Sequence, residues 1–283
     1  MFTHLRTLIL LLLFCVGKSS LAFSVSPRKV IGIHPLVEVK ADGSNVDPIF
    51  RPYLDAFGVI NLGSASCTGT HLGNGYVLTA GHCFMSQSVD PANPWSVTNQ
   101  DCPGVTVTWG YRGSPATGSA RPVITLTSNC TNLIYAERSS ERDFAIFQVD
   151  RAPTVSIPLQ TPKKETDSGT QLTIFGFPNG SPLNWSQYCP LVTLDQVPDL
   201  QKDYKPGRIL YQCDTLPGSS GSPVIAVKNG SISLAGVHND AAAQSIPYNI
   251  GTDFYDIYQA LLIQGFDLVQ AAPISFSNWE GFW

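Results

Sequence analysis

Three short segments of this chain carry side chains whose types and spacing could do nucleophilic chemistry. The first, Leu78-Thr79-Ala80-Gly81-His82-Cys83, sets an imidazole at the end of an apolar run, beside a cysteine. Cys67 stands sixteen residues before Cys83, so a disulfide between them would pin the loop that carries the ring. The second, Arg142-Asp143-Phe144-Ala145-Ile146-Phe147, opens an apolar strand with an acid. Such an Asp is often only a turn residue. A carboxylate partly buried at a strand end is also what a catalytic imidazole needs, because it fixes the ring tautomer and stabilises the imidazolium. The third is Gly218-Ser219-Ser220-Gly221-Ser222-Pro223. Small residues there allow a tight turn whose N–H groups converge on one point. Ser220, the middle serine of the G-x-S-G-x-P pattern, is expected as the nucleophile, ahead of Ser219 and Ser222. The N–H groups of Gly218 and Ser220 are expected as the oxyanion hole, where one donor is worth ~3 kcal/mol of transition-state stabilisation.

The elements that must hold these segments read as short strands between turns. Candidates are Tyr76 to Ala80, Val105 to Trp109, Val123 to Thr127 and Phe144 to Val149, then Gln171 to Phe177, Cys189 to Leu194, Arg208 to Cys213, Ser222 to Val227 and Ile232 to His238. Many strands at close spacing predict a barrel or sandwich. Arg151 to Thr170, rich in Pro, Thr, Lys and Ser, separates the two series as a linker. One helix is expected, where Phe254, Ile257, Tyr258, Leu261 and Leu262 form an apolar stripe. The aromatic stretch after Ala271 has no period and receives no assignment.

With 283 residues the chain has room for two compact domains, and 43 % apolar residues suffice for their cores. Only 13 % of residues are charged, a balance that suits an exported strand-rich protein. His4 and Arg6, the apolar run Leu8 to Val16 and the small-x-small site Ser20-Leu21-Ala22 read as a signal peptide, residues 1–22, too short for a spanning helix of ~20 residues. Lipid attachment at Cys15 is disfavoured by bulky Phe14. Removal of the segment takes Arg6 and Lys18 with it, so the net charge of −4 becomes −6. No basic run is interleaved with aromatics, and neither nucleic acid nor, after signal removal, a membrane is an expected partner. Six cysteines remain in an oxidising compartment: Cys67, Cys83, Cys102, Cys130, Cys189 and Cys213. Besides Cys67–Cys83, proximity favours Cys102–Cys130 and Cys189–Cys213 among three possible pairings. No C-x-x-C or His-x-x-x-His spacing supports zinc and no dense Asp/Asn loop supports calcium, so no metal and no cofactor is expected. Asn129-Cys130-Thr131 and Asn184-Trp185-Ser186 match glycosylation sequons, which matter only in a eukaryotic host.

Together the three segments resemble the chymotrypsin-like serine peptidases, and the order His, Asp, Ser is that family's rather than the order of subtilisins or α/β-hydrolases. The resemblance is stronger to the bacterial glutamyl endopeptidase (V8-like) branch. It rests on Ser66-Cys67-Thr68-Gly69, on Gly169 to Pro178, on Asp214-Thr215 before the serine turn, on Val237-His238 and on Tyr248-Asn249-x-Gly251-Thr252. It runs from Val30 to Gln264 and is patchy between Phe84 and Arg142. The resemblance implies an all-β fold of two packed antiparallel β-barrels with a C-terminal helix. The barrels would span 30–158, with His82 and Asp143, and 159–266, with Ser220 and the specificity pocket, followed by a tail over 267–283. It implies a secreted serine endopeptidase, extracellular or periplasmic and expected as a monomer, acting on proteins or peptides through an acyl-enzyme.

Specificity can be approached through register. Asn229-Gly230 is a two-residue hairpin signal between apolar strands. With Lys228 opposite Ser231, an unbroken ladder sets Gly221 opposite His238, which brings His238 level with the nucleophile. In the glutamyl branch the matching His and the hydroxyl matching Thr215 bind the acidic side chain. Cleavage after Glu, and also Asp, is therefore expected. Asp214, six residues before Ser220, supports the alternative of trypsin-like cleavage after Lys or Arg. Leu216, however, stands where such enzymes keep a pocket-bracing Cys. Ser26-Pro27-Arg28-Lys29 reads as the end of a short propeptide, 23–29, that would free the α-amine of Val30. Ser219 occupies the place of the Asp that receives this amine in animal-type members, so Val30 is expected to help neutralise the acidic substrate near His238. A non-catalytic binding protein on a protease scaffold is the alternative of another class; such proteins usually lose one of the three residues, all kept here.

Overall fold

The computed structural model describes residues 35–85, 93–160, 162–164, 170–193, 196, 205–241 and 248–272. The expected signal peptide, the propeptide with Val30, and the tail from Pro273 onward lie outside the described residues. Strand β1 (Val37–Glu38) is followed by β2 (Phe57–Asn61), β3 (Ser66–Gly73), β4 (Tyr76–Thr79), β5 (Trp95–Gln100), β6 (Thr106–Trp109), β7 (Leu126–Arg138) and β8 (Asp143–Val149). After the linker come β9 (Gln171–Gly176), β10 (Asn184–Trp185), β11 (Cys189–Pro190), β12 (Arg208–Tyr211), β13 (Pro223–Lys228), β14 (Ser231–Ala241) and β15 (Asn249–Asp253). Two helices close the described chain, α1 (Phe254–Ile263) and α2 (Leu268–Ala271).

Strands β7, β6, β2, β3, β4 and β8 pair in that order, and β8 pairs back to β7, which closes a six-stranded antiparallel barrel with β5 added on β7. The second sheet runs β1-β10-β9-β13-β14-β15-β12, with β11 also on β9. This is a chymotrypsin-like fold. The first strand, β1, joins the second sheet by pairing with β10, so the described chain begins on the far sheet before entering the barrel.

Side-chain alternation on β8 shows why its sequence is almost continuously apolar. Ala145, Phe147 and Val149 point into the barrel core with Val77, Val107 and Leu133. Phe144 and Ile146 point the other way, into a larger core shared with Phe175, Phe177 and Val237 of the second half. A strand buried on both faces loses the polar half of its pattern. Phe57 stacks on Phe175 across this shared core, with centroids 4.7 Å apart. A third cluster, including Leu172, Ile174, Ile209, Tyr211 and Val224, lies within the second sheet.

The described part of the expected linker, Arg151 to Thr170, is anchored to the barrel. Ile157 N–H donates to the His71 carbonyl at 3.0 Å, and Ile157 and Leu159 are buried. His71 Nδ1 bonds the Val155 carbonyl at 2.7 Å while Nε2 accepts from Gly75 N–H, an arrangement that requires the neutral ring. The expected helix forms as α1, capped by Asp253, whose side chain accepts from Tyr255 N–H. Its buried face is Phe254, Ile257, Ala260 and Leu261; Leu262, counted in the predicted stripe, is 39 % exposed. No helix among the described residues is long and apolar enough to cross a membrane.

Candidate active site

Strand β4 ends at Thr79, and a 3-10 turn over Gly81–Phe84 carries the imidazole. Gly81 is dictated by space, since a Cβ there would run into the Glu137 carbonyl and lie 2.8 Å from that of Phe144. The turn is therefore pressed onto the β7–β8 hairpin, and the Cys67–Cys83 disulfide holds its other side to β3. Asp143, the first residue of β8 and 4 % exposed, meets the turn there. His82 N–H donates to Asp143 Oδ1 at 2.9 Å, and His82 Nδ1 bonds Oδ2 at 2.8 Å. With Nδ1 carrying the proton, Nε2 is left as a base. Burial disfavours the charged ring, but the Asp143 carboxylate outweighs it and the His82 pKa is raised. Burial likewise opposes the Asp143 charge and is overcome by His82, so that carboxyl stays low. Arg138 Nε, 4.0 Å from Oδ2, adds to the stabilisation of the carboxylate.

The acid is also gripped from the second sheet. Asp143 N–H donates to Thr252 Oγ1 at 2.9 Å, and Asn239 Nδ2 donates to the Asp143 carbonyl at 2.9 Å and to Thr252 Oγ1 at 2.7 Å. Arg208 Nη1 bonds Asn239 Oδ1 at 3.0 Å, while other nitrogens of its guanidinium reach the carbonyls of Ser139 and Ser140 in the hairpin that carries Asp143. Asn239 can turn this way because it is the extra residue of a bulge on β14, between His238, opposite Gly251, and Asp240, opposite Ile250. None of Arg208, Asn239 and Arg138 is singled out by sequence reasoning. Thr252 lies inside the quoted Gly251-Thr252 match, which is the one signal available.

The serine turn is built from two glycines in left-handed backbone, Gly218 (φ +90°) and Gly221 (φ +87°). Gly221 packs directly on the strand leading to His82, where a Cβ would overlap the Thr68 carbonyl and Thr79 Oγ1. Thr68 fixes the turn twice: its N–H donates to the Ser220 carbonyl at 2.7 Å and its hydroxyl to that of Gly218 at 3.0 Å. Thr79 Oγ1 in turn donates to the Thr68 carbonyl at 2.8 Å. Ser219 and Ser222 are 1 % and 0 % exposed, whereas Ser220 is half-buried, so only Ser220 of the three presents its side chain outward. Ser219 N–H is used by the Leu216 carbonyl and Gly221 N–H by that of His238. The N–H groups of Gly218 and Ser220 have no acceptor among the described residues.

The β13–β14 hairpin corrects the register argument. Lys228 faces Ser231 and the ladder holds to Ile225 opposite Leu234, but Ala235 is a bulge and Val224 faces Gly236. His238 therefore lies across from Ser222, to whose carbonyl its N–H donates at 2.8 Å, rather than in register with Gly221. The His238 carbonyl still accepts from Gly221 N–H at 2.7 Å, so the one-residue slip leaves the imidazole strand level with the serine turn. His238 is buried, with Nδ1 2.6 Å from the Tyr211 hydroxyl, and burial followed by the charge of nearby His82 pulls its pKa down to about 3. Thr215 and Asp214 are buried at 3 % and 2 % exposure. Disulfides join Cys102 to Cys130 and Cys189 to Cys213. Cys67, His82 and Cys83 are the one His/Cys/Asp/Glu group close enough to hold a metal among the described residues, and bonding the two sulfurs to each other removes their thiolates.

No curated protein matches the sequence. A solved structure of a Glu endopeptidase in complex with MPD superposes with a TM-score of 0.56 at 21 % identity, over 84 % of this chain and 99 % of the other. At that identity the likeness speaks for the fold. The family described as trypsin-like peptidase domain matches residues 67–233, which takes in His82, Asp143 and Ser220. The chain belongs to the trypsin-like peptidase domain family and is a serine peptidase.

Proposed function

We propose that the chain is a secreted endopeptidase that cleaves proteins or peptides after Glu, and also after Asp, through an acyl-enzyme on Ser220. The observation that carries this reading is the pairing of His82 with Asp143 beside a glycine-shaped serine turn whose Gly218 and Ser220 N–H groups have no acceptor among the described residues. In the proposed cycle, Ser220 Oγ attacks the scissile carbonyl as its proton passes to His82 Nε2. The tetrahedral oxyanion accepts from the two N–H groups, and removing one such donor costs roughly 3 kcal/mol in related chemistry. His82 then delivers the proton to the leaving amine, and water, deprotonated by the same nitrogen, releases the acid product. Asp143 holds the imidazole in the tautomer this requires and stabilises the imidazolium.

The Glu preference is supported by the level of His238 relative to the serine turn, by buried Thr215 five residues before Ser220, and by the name of the solved structure that the fold resembles. Thr215, His238 and the α-amine of Val30 are proposed to receive the carboxylate. Two measurements test the proposal. Fluorophosphonate should label Ser220 and lose the label on Ser220→Ala; no labelling would favour a binding protein on this scaffold. Digestion of a peptide library should return Glu before each cut, whereas Lys or Arg there would make Asp214 the determinant. Full Glu preference in a protein that still carries Phe23 to Lys29 would remove Val30 from the pocket.

A further inference from the structure

The geometry points to Tyr211 as the residue that makes this pocket read an acid: its hydroxyl donates to His238 Nδ1 and thereby keeps the ring's proton on Nε2, the nitrogen left for the substrate carboxylate. The inference rests on the proposed Glu preference and deepens it. Tyr211 is fully buried at the end of β12, one strand removed from His238, with β15 between them. Its oxygen lies 2.6 Å from Nδ1 and 3.3 Å from the Ile250 carbonyl. The two rings meet edge to face, with centroids 6.1 Å apart. Nε2 of His238 has no hydrogen-bond partner among the described residues.

A neutral imidazole carries one proton, and a nitrogen that binds a carboxylate must be the one that carries it. His238 is neutral at physiological pH, because burial and then the neighbouring His82 charge hold its pKa at about 3. The side facing away from the substrate decides where that single proton sits. Two groups compete there with opposite demands. The Ile250 carbonyl can only accept and lies within reach of the Tyr211 hydroxyl proton; donation there would turn the Tyr211 oxygen into an acceptor from Nδ1–H and leave Nε2 a bare lone pair that repels a Glu side chain. The Tyr211 hydroxyl can donate, and burial holds its own proton well above the usual phenol range, so it stays an O–H at working pH. At 2.6 Å it is much nearer to Nδ1 than to the carbonyl. Donation from Tyr211 to Nδ1 places the ring proton on Nε2. Tyr211 touches no substrate; it is a positioning residue that acts through His238.

The test is Tyr211→Phe, which removes one buried oxygen and keeps the ring. Paired peptide substrates differ only in Glu or Gln before the scissile bond, so the comparison isolates the carboxylate. Wild-type protein should favour Glu by about tenfold or more in kcat/KM, the discrimination expected of one charge-assisted hydrogen bond. In the Phe variant Nδ1 loses the hydroxyl that donates to it, so the proton is no longer held on Nε2, which is then free to become an acceptor. The Glu/Gln ratio should then collapse to near one or invert in favour of Gln, whose amide can donate, while kcat/KM for Gln is retained. A structural role alone would lower both substrates together and leave the ratio intact, and that result overturns the inference while sparing the Glu preference. Wild-type protein with no Glu/Gln discrimination overturns both. A second readout is independent of how well the variant folds: 15N shifts of His238 in the wild-type protein should show a protonated Nε2 and a bare Nδ1, and the reverse assignment overturns the inference.

Discussion

Replacing Asp143 with Asn changes one carboxylate oxygen into an NH2 group and leaves the volume nearly unchanged. His82 presents two donors to this side chain, the main-chain N–H at 2.9 Å from Oδ1 and Nδ1–H at 2.8 Å from Oδ2. A carboxylate satisfies both, and a carboxamide has only one oxygen. The main-chain N–H cannot move away, because Gly81 is wedged against the hairpin carbonyls and Cys83 is tied to Cys67. The ring can yield by shifting its proton to Nε2. The Asn oxygen should therefore face the N–H, its NH2 should face Nδ1, and Nε2, now protonated, can no longer take the proton of Ser220. An inverted tautomer of this kind costs about 10⁴ in kcat, or roughly 5 kcal/mol at 1.36 kcal/mol per decade. The backbone of residue 143 should stay in place, since Thr252 and Asn239 hold its N–H and carbonyl independently of the side chain. KM should then change little. Steady-state kinetics at pH 8 on a Glu substrate, with the melting temperature as a control for folding, decides the matter. A kcat within tenfold of wild type, or a loss confined to KM, would refute the reasoning.

Arg138→Met removes the cation 4.0 Å from Asp143 Oδ2 and with it a charge that lowers the His82 pKa. The base must be neutral, so the acid limb of kcat/KM should move to higher pH in the variant, and an unmoved or lowered limb would contradict this account. Asp253, 1 % exposed at the start of α1, has its pKa pushed up to about 7 by burial, against 3.8 when unfolded. A raised carboxyl stabilises the fold below pH 3.8, and that contribution is lost as pH climbs towards 7, so the ionised form is a cost at pH 8, bounded at about 4 kcal/mol. Asp253→Asn keeps an acceptor for Tyr255 N–H without the charge, and its urea midpoint should exceed wild type at pH 8 and converge with it towards pH 4; a gap that widens on acidification would count against it.

Several strands were readable because their apolar runs are local facts: β4, β6, β8, β9 and β13 each fall within a residue or two of the predicted segments. Strand β3 escaped notice because its sequence, Ser-Cys-Thr-Gly-Thr-His-Leu-Gly, looks like a turn. It is buried all the same, with Thr68 and Thr70 at 0 % exposure, and the Thr68 N–H and hydroxyl both donate to the serine turn. Strand β7, thirteen residues long, was seen only at its first end, although Leu133, Tyr135 and Ala136 in its later half are buried.

What the sequence determined by itself is the chemistry on offer and its order along the chain: an imidazole beside a cysteine, an acid opening an apolar strand, and a serine between glycines. These are properties of short segments, where side-chain type and backbone freedom act within a few residues. Only the tertiary structure decided how the parts are held. The Asp143 backbone is gripped by Asn239 and Thr252, 96 and 109 positions away, and the slip that puts His238 opposite Ser222 comes from a bulge at Ala235 that the Asn-Gly turn does not announce. Tyr211 reaches His238 across an intervening strand. Contacts of this range are set by strand order and by local breaks in register, and neither leaves a periodic mark on the residues involved.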